Sequence, residues 1–321
     1  MDAPRSARGA PADELLELVQ LVRRELIQRD EAPSGAWVES TAEDLRRGEQ
    51  WGLYYPVSEG GGLAFRSDRG PDSFGHVHVG PGDAAAERAE RLAEGLLESL
   101  PASIDTVSIG FSGLTVEDET RMLGVLARRA GSTVIRRFAL DRSLRRDDEV
   151  APGAPPMGAV TVGVRQVTLD ALADLDWRAF EGSVDALLIG RDVREYRRVL
   201  QALLNGEAGR FLDEASVALY RADPPALLGA LLTCEKSARR ASFLDFMVDP
   251  AARRSGLGRY LLRWGFRALR ALGYEQVRLW VSESNVAARH LYDAEGFSVT
   301  LAATIYRWDR RPSDAHPQTA T

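Results

Sequence analysis

A short segment between an apolar run and an amphipathic run carries residues suited to binding an anion. It reads VDPAARRSGLGRYLL over residues 248–262, with Arg253, Gly256 and Gly258 near its centre. The apolar run predicts a strand that ends at Val248, and the amphipathic run predicts a helix. A helix N-terminus presents unpaired N–H groups and a partial positive charge, and glycines leave room above them. The segment therefore indicates a pyrophosphate site, with a loop that only turns on its glycines as the alternative.

A second segment places an amide and a phenol on one face of a predicted helix. It reads SNVAARHLYDAEGF over residues 284–297. Asn285 and Tyr292 are seven residues apart, about two helical turns, so they share a face. The G-x-G-x-x-G pattern of dinucleotide-binding folds and the P-loop pattern G-x-x-x-x-G-K-[ST] are both absent from the sequence. These two nucleotide-binding classes are therefore not predicted.

Together the two segments resemble the GCN5-related N-acetyltransferase (GNAT) superfamily. Arg253-x-x-Gly256-x-Gly258 is similar to its acyl-CoA loop, Q/R-x-x-G-x-G/A. The resemblance covers roughly residues 160–308. The second motif of the family, N-x-x-A-x-x-L-Y-x-x-x-G-F, is matched at every position, by Asn285, Ala288, Leu291, Tyr292, Gly296 and Phe297.

The resemblance implies that an acyl-CoA thioester, taken as acetyl-CoA, binds between two splayed parallel strands, here 242–248 and 275–281. It also implies a bulge in the first strand whose amides, at residues 246–248, hold the thioester carbonyl and the pantetheine. The pyrophosphate would lie on the amides of residues 254–259. The implied cofactor-binding residues are Phe246, Met247, Val248, Arg253, Arg254, Ser255, Gly256, Leu257, Gly258, Arg259, Asn285 and Tyr292.

Acyl transfer from a thioester to an amine requires one proton to leave the amine and one to reach the departing sulfur. In the family a tyrosine at the position of Tyr292 serves as the general acid. Asp245, in the apolar segment SFLDFMV, is our first choice for the base, because desolvation raises the pKa of a carboxyl group. Glu235, Glu283 and a water relay stay open as alternatives.

The acceptor is expected to be a small-molecule primary amine. Trp177 and Phe180 fall where the family builds one wall of its acceptor pocket, although packing in the core is an equal alternative. Asp185 and Glu181, close by in sequence, would attract a cationic amine. A protein N-terminus or lysine as the acceptor is a competing hypothesis. A catalytically silent CoA-binding sensor or scaffold is another.

The composition limits the class of protein. The 321 residues, of which 45% are hydrophobic and 27% charged, predict about two globular domains. A net charge of −6 with scattered basic residues argues against nucleic-acid binding. A single cysteine, the absence of a long apolar run and the absence of a signal-peptide core favour the cytoplasm. His76 and His78 lack further ligands of suitable spacing, so no metal is expected. Membrane partners are not expected, and monomer and homodimer both stay open.

The predicted elements occur in the same order in both halves of the sequence. We therefore predict an α/β fold of two tandem GNAT-like domains. Each would have a mixed, mostly antiparallel sheet with a central splayed parallel strand pair, flanked by helices. The expected divisions are a degenerate domain at 1–145, a linker at 146–158, a catalytic domain at 159–309 and a disordered tail at 310–321.

The first half is expected to lack a cofactor site. Its strand passes to its helix through Gly80-Pro81-Gly82-Asp83, without the Arg-x-x-Gly-x-Gly pattern. Asp83 is predicted to cap the helix and to occupy the amides that a phosphate needs. The counterpart of the second motif, LTVEDETRMLGVLARRAGST, lacks both the asparagine and the tyrosine. This half would then contribute only to the acceptor cleft or cover apolar surface.

Overall fold

The computed structural model describes residues 2–28, 36–144 and 153–310. The chain forms two compact units, one of residues 1–136 with 303–321 and the other of residues 137–302. Within the described ranges, no helix is long and apolar enough to cross a membrane. Of the predicted linker, residues 146–152 lie outside the described residues, and so does the predicted disordered tail apart from Arg310.

The first unit is a mixed sheet with helices packed against it. Its strands lie in the order β1-β2-β3-β4-β5-β12, in which β4 and β5 are parallel and the other neighbours antiparallel. The elements are β1 (Arg5–Ser6), α1 (Ala12–Gln28), α2 (Ala36–Arg47), β2 (Gly52–Tyr55), β3 (Gly62–Arg69), β4 (Asp72–Val79), α3 (Ala85–Glu98), β5 (Thr106–Ser112), α4 (Val116–Leu126) and the later part of β12 (Ser298–Asp309).

The second unit repeats this plan. Its strands lie in the order β6-β11-β10-β9-β8-β7, with β10 and β11 parallel and the other neighbours antiparallel. The elements are the later part of β6 (Ser132–Ser143), β7 (Val160–Gly163), α5 (Leu169–Phe180), α6 (Ala186–Ile189), α7 (Val193–Leu204), β8 (Val217–Ala222), β9 (Pro225–Ser237), β10 (Arg240–Val248), α8 (Leu257–Ala271), β11 (Gln276–Ser282) and α9 (Val286–Ala294).

The predicted fold class is confirmed, and the sheet of the second unit separates two apolar cores. Leu262 and Phe266 of α8 are four residues apart, which is helical spacing, and they pack against one face of the sheet. Leu172 of α5 and Leu200 of α7 pack against the other face. Side chains of β10 alternate between the two cores, so this strand carries residues that reach both sides.

The units differ from the predicted domain divisions at the last strand of each half. Residues 137–143 of β6 pair with β11, and residues 305–309 of β12 pair with β5. A buried Arg278 on β11 donates two hydrogen bonds, of 2.6 and 2.7 Å, to Asp141 on β6, which fixes this pairing. The sequence order alone assigns each final strand to its own half. The strands it actually pairs with cannot be read from the sequence, because they lie far away along the chain. The division at residues 145 and 159 stays a prediction.

The two parallel strand pairs differ in how far they stay together. In the second unit β10 pairs with β11 over only three residues, from Arg240 opposite Gln276 to Ser242 opposite Arg278. In the first unit β4 pairs with β5 over all of residues 72–78. The expected splay is therefore found in the second unit only. A V-shaped opening exists between β10 and β11, and no such opening exists between β4 and β5.

The start of α3 differs from the sequence expectation. Ala84, not Asp83, is the N-cap residue of α3, and no side chain caps this helix end. Gly82 has φ of +133°, and the Ala85 amide donates to the Gly82 carbonyl. This turn delays the helix by two residues, so the prediction that Asp83 caps it was wrong.

Candidate functional site

The loop before α8 is built to leave backbone amides free. Gly256 is the N-cap residue of α8 with φ of +90°, and no side chain caps the helix. Arg254 is also left-handed, with φ of +59°. The Tyr260 amide makes the first intrahelical bond, to the Gly256 carbonyl. Within the described part of the chain, the amides of residues 254–259 donate to no partner. These unpaired donors fit the pyrophosphate of a CoA thioester.

The arginine side chains of this loop are largely committed elsewhere. Arg253 donates to the Ala179 carbonyl at the end of α5, at 2.6 Å. Arg259 forms an ion pair of 2.9 Å with Glu295, whose side chain is almost fully buried. Arg253 therefore holds the loop against α5, and Arg259 holds α8 against the segment after α9. The groups of the loop that are available to bind an anion are therefore mainly backbone amides, and the exposed side chain of Arg254 lies beside them.

The two glycines of the loop have different functions. A Cβ on Gly256 would have only Pro156 within 4 Å, at 3.5 Å, so there is space for a side chain. Glycine is required here because the backbone is left-handed. A Cβ on Gly258 would lie 3.1 Å from Leu291 and 3.3 Å from Phe246. Gly258 thus allows α8 to pack closely on α9 and β10, which differs from the expectation that it leaves room for an anion.

The bulge of β10 lies earlier than expected. Phe243 is opposite Thr233 on β9 and Asp245 is opposite Leu232, so Leu244 is the extra residue. Residues 246–248 pair regularly with β9, and the expectation of a bulge there was wrong. Phe243 and Phe246 contact the same core although they are three positions apart. A regular strand would place them on opposite faces, so the bulge turns Asp245 towards the other face.

On that face Asp245 meets a second carboxyl group. Asp176 of α5 is fully buried, and its side chain is within hydrogen-bonding reach of Asp245, which is partly exposed. Burial raises the pKa of both carboxyl groups. The charge of Asp245 raises the pKa of Asp176 further. The hydrogen bonds from Asp176 and from the Phe246 amide act in the opposite direction on Asp245.

Tyr292 of α9 lies in the same region as Asp245. Its ring centroid is 5.9 Å from that of Phe246 and 5.7 Å from that of Phe297. Burial, followed by the charges of Asp185 and Asp245, raises the pKa of Tyr292, so the phenol stays protonated. Tyr292 and Asp245 lie within electrostatic range of each other, and a protonated phenol with a carboxylate supplies the two groups that acid–base catalysis needs.

The predicted acceptor wall lies beside these groups. Trp177 packs edge-to-face on Tyr196 of α7, at 5.4 Å between ring centroids. Phe180 is half-buried against the core that contains Leu172. Asp185 is buried and accepts a hydrogen bond of 2.5 Å from Ser282, the last residue of β11. The three predicted residues thus lie on α5 and at the start of α6, and their contact with a substrate stays a prediction.

The alternative bases are placed less favourably. Glu235 on β9 is opposite Ala241, at the closed end of the β10–β11 pair. It pairs with Arg210 at 2.5 Å and accepts a hydrogen bond from Tyr274. These two partners lower the pKa of Glu235, which makes it a weaker base. Glu283 is exposed beyond the end of β11.

Asn285 has a structural role that sequence reasoning did not assign. It is the N-cap residue of α9, and its side-chain oxygen accepts a hydrogen bond of 3.2 Å from the Ala288 amide. Its side-chain NH₂ group is directed by this bond, because the oxygen is fixed. Its contact with pantetheine stays a prediction.

Sequence reasoning missed Asp176 and Tyr196. Both side chains are fully buried, and the Tyr196 hydroxyl has no hydrogen-bond partner among the described residues. A signal for Asp176 existed: it follows Leu172 by four residues, on the apolar face of α5. A charged residue at such a position is rarely structural without a partner.

Comparison with known proteins agrees with this geometry. Residues 169–297 match the model of the acetyltransferase (GNAT) family. This part of the chain is a GNAT domain. Mycothiol acetyltransferase of Gordonia bronchialis is 35% identical over 125 residues, which is 39% of this chain and 37% of that protein. The enzyme of Thermobispora bispora is 45% identical over 60 residues, which is 19% of this chain and 20% of that protein. The matches thus span well under half the length of these relatives.

Solved structures share the fold over nearly the whole chain. A GNAT protein of Sphaerobacter thermophilus has a TM-score of 0.64 at 17% identity, over 95% of this chain and 96% of that one. A tandem GNAT protein from the clavulanic acid biosynthesis pathway has a TM-score of 0.53 at 18% identity, over 97% and 99%. The predicted tandem architecture, which is similar to that of mycothiol synthase, therefore has a solved counterpart.

Proposed function

We propose that the protein is an N-acetyltransferase that transfers acetyl from acetyl-CoA to a primary amine of a small molecule, by direct attack in a ternary complex. The observation that carries this proposal is the meeting of three features in one unit. They are the opening between β10 and β11, the uncapped N-terminus of α8, and a carboxyl–phenol pair formed by Asp245 and Tyr292.

Acetyl-CoA would be held mainly by backbone groups. The amides of residues 254–259 are donors for the pyrophosphate. The edge of β10 beyond Ser242 is not paired with β11, so its backbone is open to the pantetheine and the thioester carbonyl. When bound, acetyl-CoA supplies an electrophilic carbonyl and a thiolate leaving group. This use of the backbone explains why committed arginine side chains are compatible with the site.

Asp245 and Tyr292 would move the two protons of the reaction. Asp245 accepts a proton from the acceptor ammonium, and the free amine forms the C–N bond as the C–S bond of the thioester breaks. Tyr292 donates its proton to the departing sulfur and regains one from the nitrogen, through solvent. Asp185 adds negative charge next to both groups. A cationic amine is favoured for this reason.

The first unit would not bind a second acetyl-CoA. Its parallel strands stay paired to their ends, so the opening that the cofactor needs is missing. The partial matches to mycothiol acetyltransferases support the family chemistry, and we leave the acceptor at the class of primary amines.

Replacing Tyr292 by phenylalanine tests the acid. We expect Tyr292→Phe to lower kcat by about 10²- to 10⁴-fold with nearly unchanged affinity for acetyl-CoA. The measurement is CoA thiol release over a panel of primary amines. The matched control is Tyr274→Phe, which removes a hydroxyl group at the closed end of the sheet and leaves transfer unchanged. Equal rates for Tyr292→Phe and the wild type across pH would contradict the acid role. Background thiol release by the wild type would favour a silent CoA-binding protein.

A further inference from the structure

A fully buried carboxyl group lies beneath the proposed base. Asp176 has 0% of its surface exposed, and neither of its side-chain oxygens accepts a hydrogen bond from any donor in the described chain. Burying an ionised carboxylate without donors is very costly, so such a group becomes neutral instead. A neutral carboxylic acid also has an O–H that needs an acceptor.

Asp245 is the acceptor that the fold supplies. The bulge at Leu244 turns Asp245 towards α5, where its side chain is within hydrogen-bonding reach of Asp176. Asp185 at the start of α6, Tyr196 of α7 and Tyr292 of α9 are the other titratable groups in electrostatic contact with this carboxylate. The positive charge of Arg137 of β6 acts on Tyr292 in the opposite direction, lowering its pKa.

The surrounding charges decide which of the two carboxyl groups holds the proton. Asp176 is fully buried, whereas Asp245 is partly exposed. The burial of Asp176 and the negative charge next to it both favour its neutral form. The hydrogen bond from Asp176 favours the ionised form of Asp245. The proton therefore belongs on the inner carboxyl group.

We propose that Asp176 stays a neutral carboxylic acid whose O–H donates to the Asp245 carboxylate, and so acts as the positioning residue of the acceptor base. This inference rests on the proposed function in its assignment of Asp245. The inner acid keeps Asp245 ionised and directs its outer oxygen towards the opening. Asp245 takes the acceptor proton, and Asp176 keeps its own throughout the cycle. Keeping a carboxylic acid neutral in an apolar site so that it can donate a hydrogen bond is a known device of enzymes.

The test compares two replacements of Asp176 that differ only in hydrogen bonding. Asp176→Asn retains an N–H donor for Asp245, and Asp176→Leu has a similar size and no donor. The matched control is Asp174→Asn, an exposed carboxyl group two residues away on the same helix. The readout is a pH titration of the aspartate carboxyl carbons by NMR in protein labelled with ¹³C, which needs no substrate.

We expect the Asp176 carbon of the wild type to report a protonated carboxyl group at neutral pH. The titration midpoint of Asp245 moves up by about one pH unit in Asp176→Leu, and stays close to the wild type in Asp176→Asn and in Asp174→Asn. An ionised Asp176 at neutral pH, or the same Asp245 midpoint in Asp176→Leu and the wild type, would overturn the proposal. If Asp176→Leu does not fold, the ionisation of Asp176 in the wild type still decides.

Kinetics separate this inference from the proposed function. With acetyl-CoA saturating, the acid limb of kcat/KM for the amine moves to higher pH in Asp176→Leu and not in Asp176→Asn. A purely structural role would lower activity equally at all pH values, which would count against the positioning role. If the wild type transfers no acetyl group, the proposed function fails while the NMR titration still tests the Asp176–Asp245 pair.

Discussion

At the scale of single residues, the proposed anion site is made by backbone conformation more than by side chains. Gly256 adopts a left-handed backbone that directs the first amides of α8 outward, while Arg253 and Arg259 are engaged by other groups. The site therefore depends on a position where only glycine fits without strain.

A charge at Gly256 should abolish binding of acetyl-CoA. We predict that Gly256→Glu raises the dissociation constant for acetyl-CoA, measured by calorimetry, by at least about 100-fold. A carboxylate would occupy the amides and repel the pyrophosphate. Gly273→Glu is the matched control. Gly273, just after the other end of α8, has φ of +88° and open space around it, so the backbone strain is comparable. Tight binding by Gly256→Glu would contradict the assignment of the loop.

Sequence reasoning could predict those features of the proposed site that neighbouring residues in the chain determine. The glycine turn at Gly256 was predictable because a strand, a glycine turn and a helix follow one another directly. Asp176 was missed because its environment is set by Asp245, about seventy residues later in the chain. Hydrogen-bond partners that come from distant elements leave no pattern of spacing in the sequence.

At the scale of elements, the pairing of the parallel strands separates the two units. In the first unit, a Cβ on Gly113 would lie 1.9 Å from the Val79 carbonyl oxygen, and one on Gly80 would lie 2.2 Å from that of Gly60. Gly113 allows the backbone after β5 to approach the end of β4, and Gly80 allows the segment after β4 to approach the turn before β3. Ser112, the last residue of β5, lies 2.9 Å from a ring nitrogen of both His76 and His78 of β4. These contacts hold the pair closed where β10 and β11 part.

A side chain at Gly113 should destabilise the first unit. We predict that Gly113→Ala lowers the free energy of unfolding by at least about 2 kcal/mol, since it combines a clash with the backbone and φ of +80°. Gly124→Ala on α4 is the control: it has open space and should be neutral or stabilising by up to about 1 kcal/mol. The measurement is urea denaturation. Equal stability of Gly113→Ala and the wild type would show that the strands need no such approach.

Element order was predictable from periodicity, and element geometry was not. The second of the two splayed strands was expected at 275–281, within one residue of β11 at either end. The bulge at Leu244 was placed two residues too late, because a run such as SFLDFMV is apolar on both faces and shows no break in alternation. The short helix α2 and the strand β7 were missed.

At the scale of the whole molecule, one fold plan occurs twice and carries one candidate site. The order of elements predicted the duplication, which the tandem structural neighbour supports. Residues 137–143 belong to the second unit and residues 303–309 to the first. This was not predictable, because the sequence of a strand does not show which strand it pairs with. The first half was predicted to lack a site because its motifs are missing, and the continuous pairing of β4 with β5 is consistent with that prediction.

The most direct measurement is the stoichiometry of acetyl-CoA binding, obtained by calorimetric titration of the purified protein. We predict one equivalent per chain, bound by the second unit and lost in Gly256→Glu. Two equivalents would contradict the inference that the closed β4–β5 pair excludes the cofactor. No binding by the folded protein would contradict the assignment of the loop before α8 and, with it, the proposed acetyl transfer.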